Sequence, residues 1–454
     1  VEPVGAVGGG VPVLAPRGVV TVVVPAVTSY ADFIEKKLRN DPETGFEPLE
    51  ISDALYPFQR DLTEWSLRRG RAAIFADCGL GKTPMQLEWA HRVCQETRGD
   101  VLILAPLAVS AQTAREGDKF SVPVTVCREP GDIRAGVNIT NYDRLERFAR
   151  HDWKGVVLDE SSILKAFDGK TRGALIAWAQ RFPYRLCCTA TPSPNDYMEL
   201  GGHADFLGVL SHKQMLAEFF VNDGISAGSW RLKGHAREAY WRWISEWARA
   251  LRSPADLGYD DRHFDLPPLN VETIQVDADA VSEDRLFAVP VATMSERRQA
   301  RRESIPERVA IAEAIVNGSS EPWVVWCDLN AESEALARAI PDSVEVRGSD
   351  HADIKEERLI QFSTGEARVI VTKPSIAGWG LNWQHCANVL FVGLSDSYEQ
   401  YYQAVRRCWR FGQTNPVRVV IVASNREQAV LENVRRKERQ AMEMFAEIVQ
   451  VMHG

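Results

Sequence analysis

The stretch that most constrains this chain is "FADCGLGKT", Phe75–Thr83. The apolar run "AAIFA" (Ala72–Ala76) leads into it, and a helical "PMQLEWAHRV" follows. A glycine-rich turn between a strand and a helix start brings backbone amides and the helix N-terminus to bear on one anion. Gly79 and Gly81 let the main chain approach a phosphate closely. Lys82 would then reach the β and γ phosphates, and the Thr83 hydroxyl would hold Mg²⁺. The first position of the GxxxxGK[ST] pattern is Ala76 rather than glycine, so the full pattern is broken at one place and only its GxGKT core remains.

The surroundings of this loop predict an α/β fold. Strand-like runs recur at "DVLILAP" (Asp100–Pro106), "VNIT" (Val137–Thr140), "GVVLD" (Gly155–Asp159) and "YRLCCTAT" (Tyr184–Thr191), mostly separated by helical stretches. That alternation implies a parallel sheet with helices on both faces. Residues 200–265 read instead as a helical insert without strands. In it Tyr240, Trp243, Ile244, Trp247 and Leu251 share one helical face, as a core stripe or as a stacking platform for bases. "FDLPPLN" (Phe264–Asn270) reads as a stiff linker, and the strand–helix pattern restarts at "WVVWCD", "RVIVT", "NVLFVG" and "VRVVIV". With 454 residues the chain is long enough for two or three domains. The expected division is a disordered tail at 1–29, a first lobe at 30–265 that includes the insert, a linker at 266–275 and a second lobe at 276–454. No signal peptide or membrane span is expected.

Two further constellations belong with the phosphate loop. "GVVLDE" begins 73 positions after Lys82. A buried strand that ends in Asp159 is where a second Mg²⁺-side ligand belongs, and Glu160 would orient or deprotonate the attacking water. In "YYQAVRRCWRFGQ" (Tyr401–Gln413), Gln403, Arg407 and Arg410 fall at i, i+4 and i+7, one face of a helix expected to end at Gly412. Two fixed guanidiniums suit the charged oxygens of a phosphoryl group in transfer.

Together these segments resemble the superfamily-2 helicases, and among them the Swi/Snf-like DNA translocases, over about Leu55 to Val422. "LYPFQRD" resembles the adenine-reading segment, with Gln59 as the contact. "LILAPLAVSAQTARE", with Pro106, resembles a motif that touches the nucleic-acid backbone, although Gln112 stands where the family often has tryptophan. "ITNYDRL" is similar to "ittYe-l" and carries Thr140 and Tyr142. "DESSILKA" resembles "DEgHriKN", with Ser161, Ser162 and Ala166 departing. "CCTATPSPND" is similar to "LTGTPiqN" and carries Thr189 and Thr191. "KPSIAGWGLNW" is similar to "StraGGlGLNL", with Gly380 and Asn382 matching. "YYQAVRRCWRFGQ" is similar to "QAedRchRiGQ", except that Arg406 replaces an acid and Trp409 a histidine.

The resemblance implies two RecA-like P-loop NTPase lobes that hold ATP and Mg²⁺ in their cleft. Lys82, Glu160, Arg407 and Arg410 would be catalytic. Gln59, Gly79, Gly81, Thr83, Asp159, Gly380 and Gln403 would bind nucleotide, with Thr83 and Asp159 on the metal. Pro106, Thr140, Tyr142, Thr189, Thr191 and Asn382 would contact nucleic acid or couple it to the cleft. The implied function is an ATP-dependent DNA helicase or translocase acting on double-stranded DNA. An RNA helicase and a nucleotide-gated scaffold with a vestigial ATPase are the alternatives. The compact size resembles bacterial or phage enzymes, which implies a monomer in the cytoplasm, with replication or recombination proteins as possible partners. The net charge of -9 argues against coating nucleic acid over the whole surface. A local basic track is therefore expected at Ser295–Val309, with Arg297, Arg298, Arg301, Arg302 and Arg308. The eight cysteines contain no CxxC and read as small core residues, not zinc ligands. At the fourth position of the acid motif, Ser162 is expected to replace a histidine that couples the two lobes, through Gln403 or Gln413.

Overall fold

The computed structural model describes residues 43–106, 109–165, 169–222, 230–276, 299, 301–378 and 382–453. The expected tail at 1–29, and Ala166, Arg297, Arg298, Gly380 and Leu381, lie outside the described residues. Among the described residues, the first lobe is built on strands β1 (Arg71–Ala76), β2 (Val101–Ala105), β3 (Val124–Val126), β4 (Val137–Asn141), β5 (Gly155–Asp159) and β6 (Tyr184–Cys188). Together with β9 (Ala248–Leu251) they form a sheet in the order β3-β4-β2-β5-β6-β1-β9, in which every neighbouring pair is parallel. Strands β2 and β5 are buried at every position, as expected where helices cover both faces. Helix α1 (Pro57–Arg69) and helix α2 (Lys82–Thr97) pack beside them, and α2 buries Met85, Leu87, Trp89, Ala90 and Val93.

The segment 200–265 departs from the strandless helical insert that its sequence suggests. It contains α3 (Leu200–Leu207) and α4 (Arg237–Trp247), but also an antiparallel pair, β7 (Phe220–Asn222) with β8 (Trp230–Leu232). Directly after α4, β9 (Ala248–Leu251) joins the edge of the main sheet in register with β1, Ala73 opposite Ala248 and Ala76 opposite Leu251. "ARAL" continues the helical periodicity, so its local pattern does not distinguish strand from helix. Pairing with β1 decides it. Tyr240, Trp243, Ile244 and Trp247 are at most 1% exposed and pack on Phe219 and on one another. They are core, with no face free for bases.

The second sheet has the order β10-β15-β14-β11-β13-β12, again all parallel, with β10 (Leu269–Val276), β11 (Trp323–Cys327), β12 (Ser343–Glu345), β13 (Val369–Thr372), β14 (Asn388–Val392) and β15 (Val417–Ser424). β10 occupies most of the expected linker and pairs with β15 over its whole length. It is an edge strand with a largely exposed outer face, so it lacks the unbroken apolar run that marks buried strands. Helix α5 (Ile305–Asn317) and helix α6 (Asn330–Ala339) lie against this sheet, followed by α7 (Tyr398–Val405). The last helix, α8 (Gln428–His453), crosses back to the first lobe. Its Glu447 accepts from Arg237 Nη2 at 2.5 Å, and Met444, Phe445 and Ile448 are buried. All eight cysteines are free, and all but Cys94 are buried.

Candidate nucleotide site between the lobes

The parallel sheet delivers its functional groups at the carboxyl ends of β1, β4, β5 and β6, the edge where α/β sheets bind ligands. β1 ends at Ala76 and the loop turns through Gly79 at φ +90° and Gly81 at φ +77° into α2. Only glycine takes these values without strain. A Cβ on Gly81 would sit 2.3 Å from Gln59 Nε2. Lys82 Nζ donates to the carbonyls of Ala76 at 3.0 Å and Asp77 at 3.3 Å. Thr83 follows in the first turn, partly buried. Gln59 is held in place from both ends of its amide: Oε1 accepts from Tyr56 N and Nε2 donates to the Leu80 carbonyl, both at 3.0 Å. One lone pair and one N–H remain for the edge of a base.

Asp159 closes β5 and is 7% exposed. Its Oδ1 accepts from Gln86 Nε2 at 2.8 Å, one helical turn beyond Lys82 on the same face of α2. Burial, and then the neighbouring Glu160, push its carboxyl up to about 6. Such an acid favours a cation beside it. Glu160 holds a left-handed φ of +53°, a strained conformation for a non-glycine residue. Its Oε2 accepts from Thr189 Oγ1 at 3.2 Å, and that hydroxyl in turn accepts from Thr191 N at 3.1 Å. Ser161 Oγ lies 3.1 Å from Nε2 of the buried His203 on α3.

The second lobe presents the segment 402–413 to this loop. Helix α7 ends at Val405, so Arg407 and Arg410 sit on the irregular turns beyond it, not on the helix that the i, i+4, i+7 spacing suggests. Gly412, at φ +90°, does lie at the end of the turn. Arg407 is 4% exposed and donates to the Gln403 carbonyl at 3.0 Å and to Gln403 Oε1 at 3.1 Å. Cys78 Sγ of the phosphate loop approaches the same Oε1 at 3.9 Å. Burial lowers the Arg407 guanidinium, and burial followed by repulsion from Arg407 lowers Arg410 to about 10. Arg410 Nε and Gln403 Nε2 are buried with no hydrogen-bond partner among the described residues. Two crowded guanidiniums and orphaned donors facing a glycine loop fit a polyanion. Asp159 and Thr83 fit a divalent cation bound to it.

Around the cleft the lobes also touch at points that the motifs do not announce. Asp77 Oδ2 pairs with Arg406 Nη2 at 2.5 Å, and Tyr402 donates its hydroxyl to Asp77 Oδ1. Lys165 pairs with the buried Glu399 of α7. The backbone N of Phe411 stands 2.9 Å from where a Cβ of Gly79 would lie. Of the two partners expected for Ser162, Gln413 spends its amide elsewhere, on the carbonyls of Gln384, Cys386 and Cys408 and on the amides of Thr414 and Asn415. Charge at Asp77 and Lys165 is visible in the sequence, but their partners lie more than 200 residues away and no spacing rule links them.

Several residues expected to contact nucleic acid or to couple it to the cleft lie wholly or partly inside the protein. Thr140 is 1% exposed and donates to the Cys127 carbonyl at 2.8 Å. Tyr142 donates its hydroxyl to the Asp159 carbonyl at 2.7 Å, bracing the acid motif from behind. Thr189 and Thr191 support Glu160 as described. Pro106 is partly buried at the end of β2, and Asn382 is partly buried in the connection between β13 and β14. The expected basic track fails at two arginines: Arg301 pairs with Glu427 and Asp328, and Arg308 with Glu332, all but Asp328 buried. Arg302 is exposed. A cavity of about 340 Å³ borders the Asp77–Arg406 contact, but Lys82, Asp159, Glu160, Arg407 and Arg410 do not line it.

Two RecA-like lobes, with a phosphate loop on one and paired arginines on the other, define a two-lobed P-loop NTPase. Residues 58–242 match the SNF2-related domain, and residues 310–412 match the helicase conserved C-terminal domain. The chain belongs to the Swi/Snf-like group of superfamily-2 ATPases and is a nucleic-acid-dependent ATPase. Among solved structures it is similar to the "Sulfolobus solfataricus SWI2/SNF2 ATPase core in complex with dsDNA", at 17% identity and a TM-score of 0.43, over 88% of this chain and 96% of that one. No curated protein matches it. Among the described residues, no helix is long and apolar enough to cross a membrane, and no cluster of His, Cys, Asp and Glu is placed to hold a metal by itself.

Proposed function

We propose that the chain hydrolyses ATP with Mg²⁺ when double-stranded DNA lies across its lobes, and uses the resulting closure and opening to move along that DNA. The observation that carries this reading is the meeting of Cys78 and Gln403, which brings the Arg407–Arg410 segment against the phosphate loop. Lys82 and the loop amides hold the phosphates. Thr83 and Asp159 hold the metal, which when bound would draw charge from the β and γ oxygens. Glu160, fixed by Thr189, orients the attacking water and accepts its proton. Arg407 and Arg410 stabilise charge on the transferring group, a role worth about 10³–10⁵ in rate in related chemistry. Because they come from the second lobe, fast hydrolysis requires closure, and chemistry is thereby tied to a rigid-body motion. The preference for duplex DNA over RNA rests on the resemblance of "GWGLNW" and "QAVRRCWRFGQ" to the DNA-translocase forms.

The test is ATP turnover with single-stranded DNA, duplex DNA and RNA at two salt concentrations, beside Lys82→Ala. Duplex DNA is expected to stimulate most, with strong salt dependence. Turnover no higher than that of Lys82→Ala under saturating DNA would establish the vestigial-ATPase alternative instead.

A further inference from the structure

The two departures from the family pattern in "QAVRRCWRFGQ", Arg406 and Trp409, form one network with the phosphate loop. Arg406 is 5% exposed and Asp77 is 7% exposed. Arg406 Nη2 reaches Asp77 Oδ2 at 2.5 Å. The other carboxylate oxygen accepts from Cys78 N at 2.6 Å and from the Tyr402 hydroxyl. The guanidinium lies 4.3 Å from the Trp409 ring centre and 5.2 Å from that of Tyr402. Trp409 in turn donates its indole N–H to the Pro267 carbonyl at 2.7 Å, just ahead of β10 where the chain enters the second sheet. Burial alone would lower the Arg406 guanidinium, but Asp77 together with Tyr402 and Cys78 raises it above its ordinary value.

We propose that Asp77 and Arg406 are a pair of positioning residues that dock the arginine segment onto the phosphate loop in one register. Arg406 is the sequence neighbour of Arg407. Asp77 lies within the loop that Lys82 closes through the Ala76 and Asp77 carbonyls. Holding these two points together fixes where Arg407 and Arg410 stand relative to the bound phosphates. An acid at position 406 would face Asp77 as a like charge, so the arginine converts a repulsive approach into an attractive one. Trp409 keeps the guanidinium planar against its ring and ties the same register to the inter-lobe connection. Neither residue touches the reacting atoms; both act through Arg407 and Arg410.

The experiment is a double-mutant cycle on the full chain with saturating duplex DNA: Asp77→Asn, Arg406→Gln and the double variant, with kcat and the KM for ATP measured separately. Each single variant is expected to lose about tenfold or more in kcat, in line with couplings of close charge pairs. Its KM should stay within about threefold, because ground-state binding does not use the pair. The double variant should fall no further than the weaker single. Losses that multiply, or a rise in KM without loss of kcat, would overturn the proposal. If Asp77→Asn fails to fold, Arg406→Lys against Arg406→Gln decides: the lysine keeps the charge and is expected to retain more kcat, and equal activity would overturn the pair. The inference rests on the proposed ATPase function, so wild-type turnover above Lys82→Ala is read first. Its absence refutes that function, whereas its presence with a multiplicative cycle refutes the pair alone.

Discussion

Replacing Arg308 by methionine separates a structural arginine from a track arginine. Arg308 and Glu332 are both 0% exposed, and Nη1 stands 2.8 Å from Oε1. Breaking a buried pair by removing one partner costs about 3–5 kcal/mol, because a charge is left uncompensated. Two features favour the low end. Glu332 Oε2 keeps its bonds from Asp328 N at 2.9 Å and Leu329 N at 2.8 Å. Burial already raises its carboxyl, with Arg308 opposing, so in the variant it can take up a proton. A loss of about 3 kcal/mol would lower the unfolding midpoint of a lobe this size by about 6–12 °C. Arg308→Met with Glu332→Leu should recover most of that, since buried pairs are often no better than well-packed apolar residues. Calorimetry gives the midpoint, and a salt titration of DNA binding gives the number of phosphate contacts. The expected result is a lowered midpoint with an unchanged salt slope. An unchanged midpoint, with the slope reduced by about one, would refute the burial argument and restore Arg308 to the DNA track.

Gly79→Ala combines a left-handed φ, at about 1–2 kcal/mol, with a Cβ 2.9 Å from the Phe411 amide of the other lobe. DNA-stimulated kcat should fall about tenfold while a non-hydrolysable ATP analogue still binds within a few-fold of wild type. Equal loss of both would show that the damage is confined to the first lobe. His203 is buried and neutral, its imidazole lowered to about 3 by burial and then by Arg172. The folded state therefore disfavours its protonation. Stability is fully present above the unfolded value of about 6.5 and drains away as the pH falls toward 3, by about 1.4 kcal/mol per pH unit per proton. His203→Gln should flatten urea-unfolding stability against pH in that window, and an unaltered slope would refute the assignment.

The sequence made the strand ends of the first lobe legible because parallel strands buried on both faces are unbroken apolar runs. "DVLILAP" and "GVVLD" needed no tertiary information. β10 and β9 were not legible for opposite reasons. β10 is a half-exposed edge strand in which Asn270, Glu272 and Gln275 interrupt the apolar residues, and β9 is four residues that extend a helical period. Both are set by the strand beside them. The site divides the same way. The placement of Lys82, Asp159 and Glu160 at the strand ends of one lobe was readable because each is tied to a local turn. The end of α7 was misjudged because spacing alone extends a helix to Gly412, while the chain leaves the helix at Val405. Arg301 and Arg308 looked like a basic face because charge is local in sequence, whereas their partners Glu427, Asp328 and Glu332 arrive from elsewhere.

The electrostatics of the cleft give a physical reason for two lobes. On the first, Asp159 is raised to about 6 by burial and by Glu160, so the acid pair is unfavourable until a cation arrives. On the second, Arg410 is lowered to about 10 by burial and by Arg407, so the cation pair is unfavourable until an anion arrives. In the proposed function, a nucleotide triphosphate with its metal would supply both. The full relief requires the lobes to be together, because the cation would meet the acids of one lobe while the anion meets the arginines of the other. Binding energy is thereby directed into closure rather than into affinity for one lobe. In the proposed cycle, once the freed phosphate leaves after hydrolysis, less negative charge would remain to hold Arg407 and Arg410 against the first lobe, which would favour separation. Among the described residues, Asp77–Arg406 is a charged contact between loop and arginine segment that is already paired without a ligand, so it sets the register in which the lobes meet.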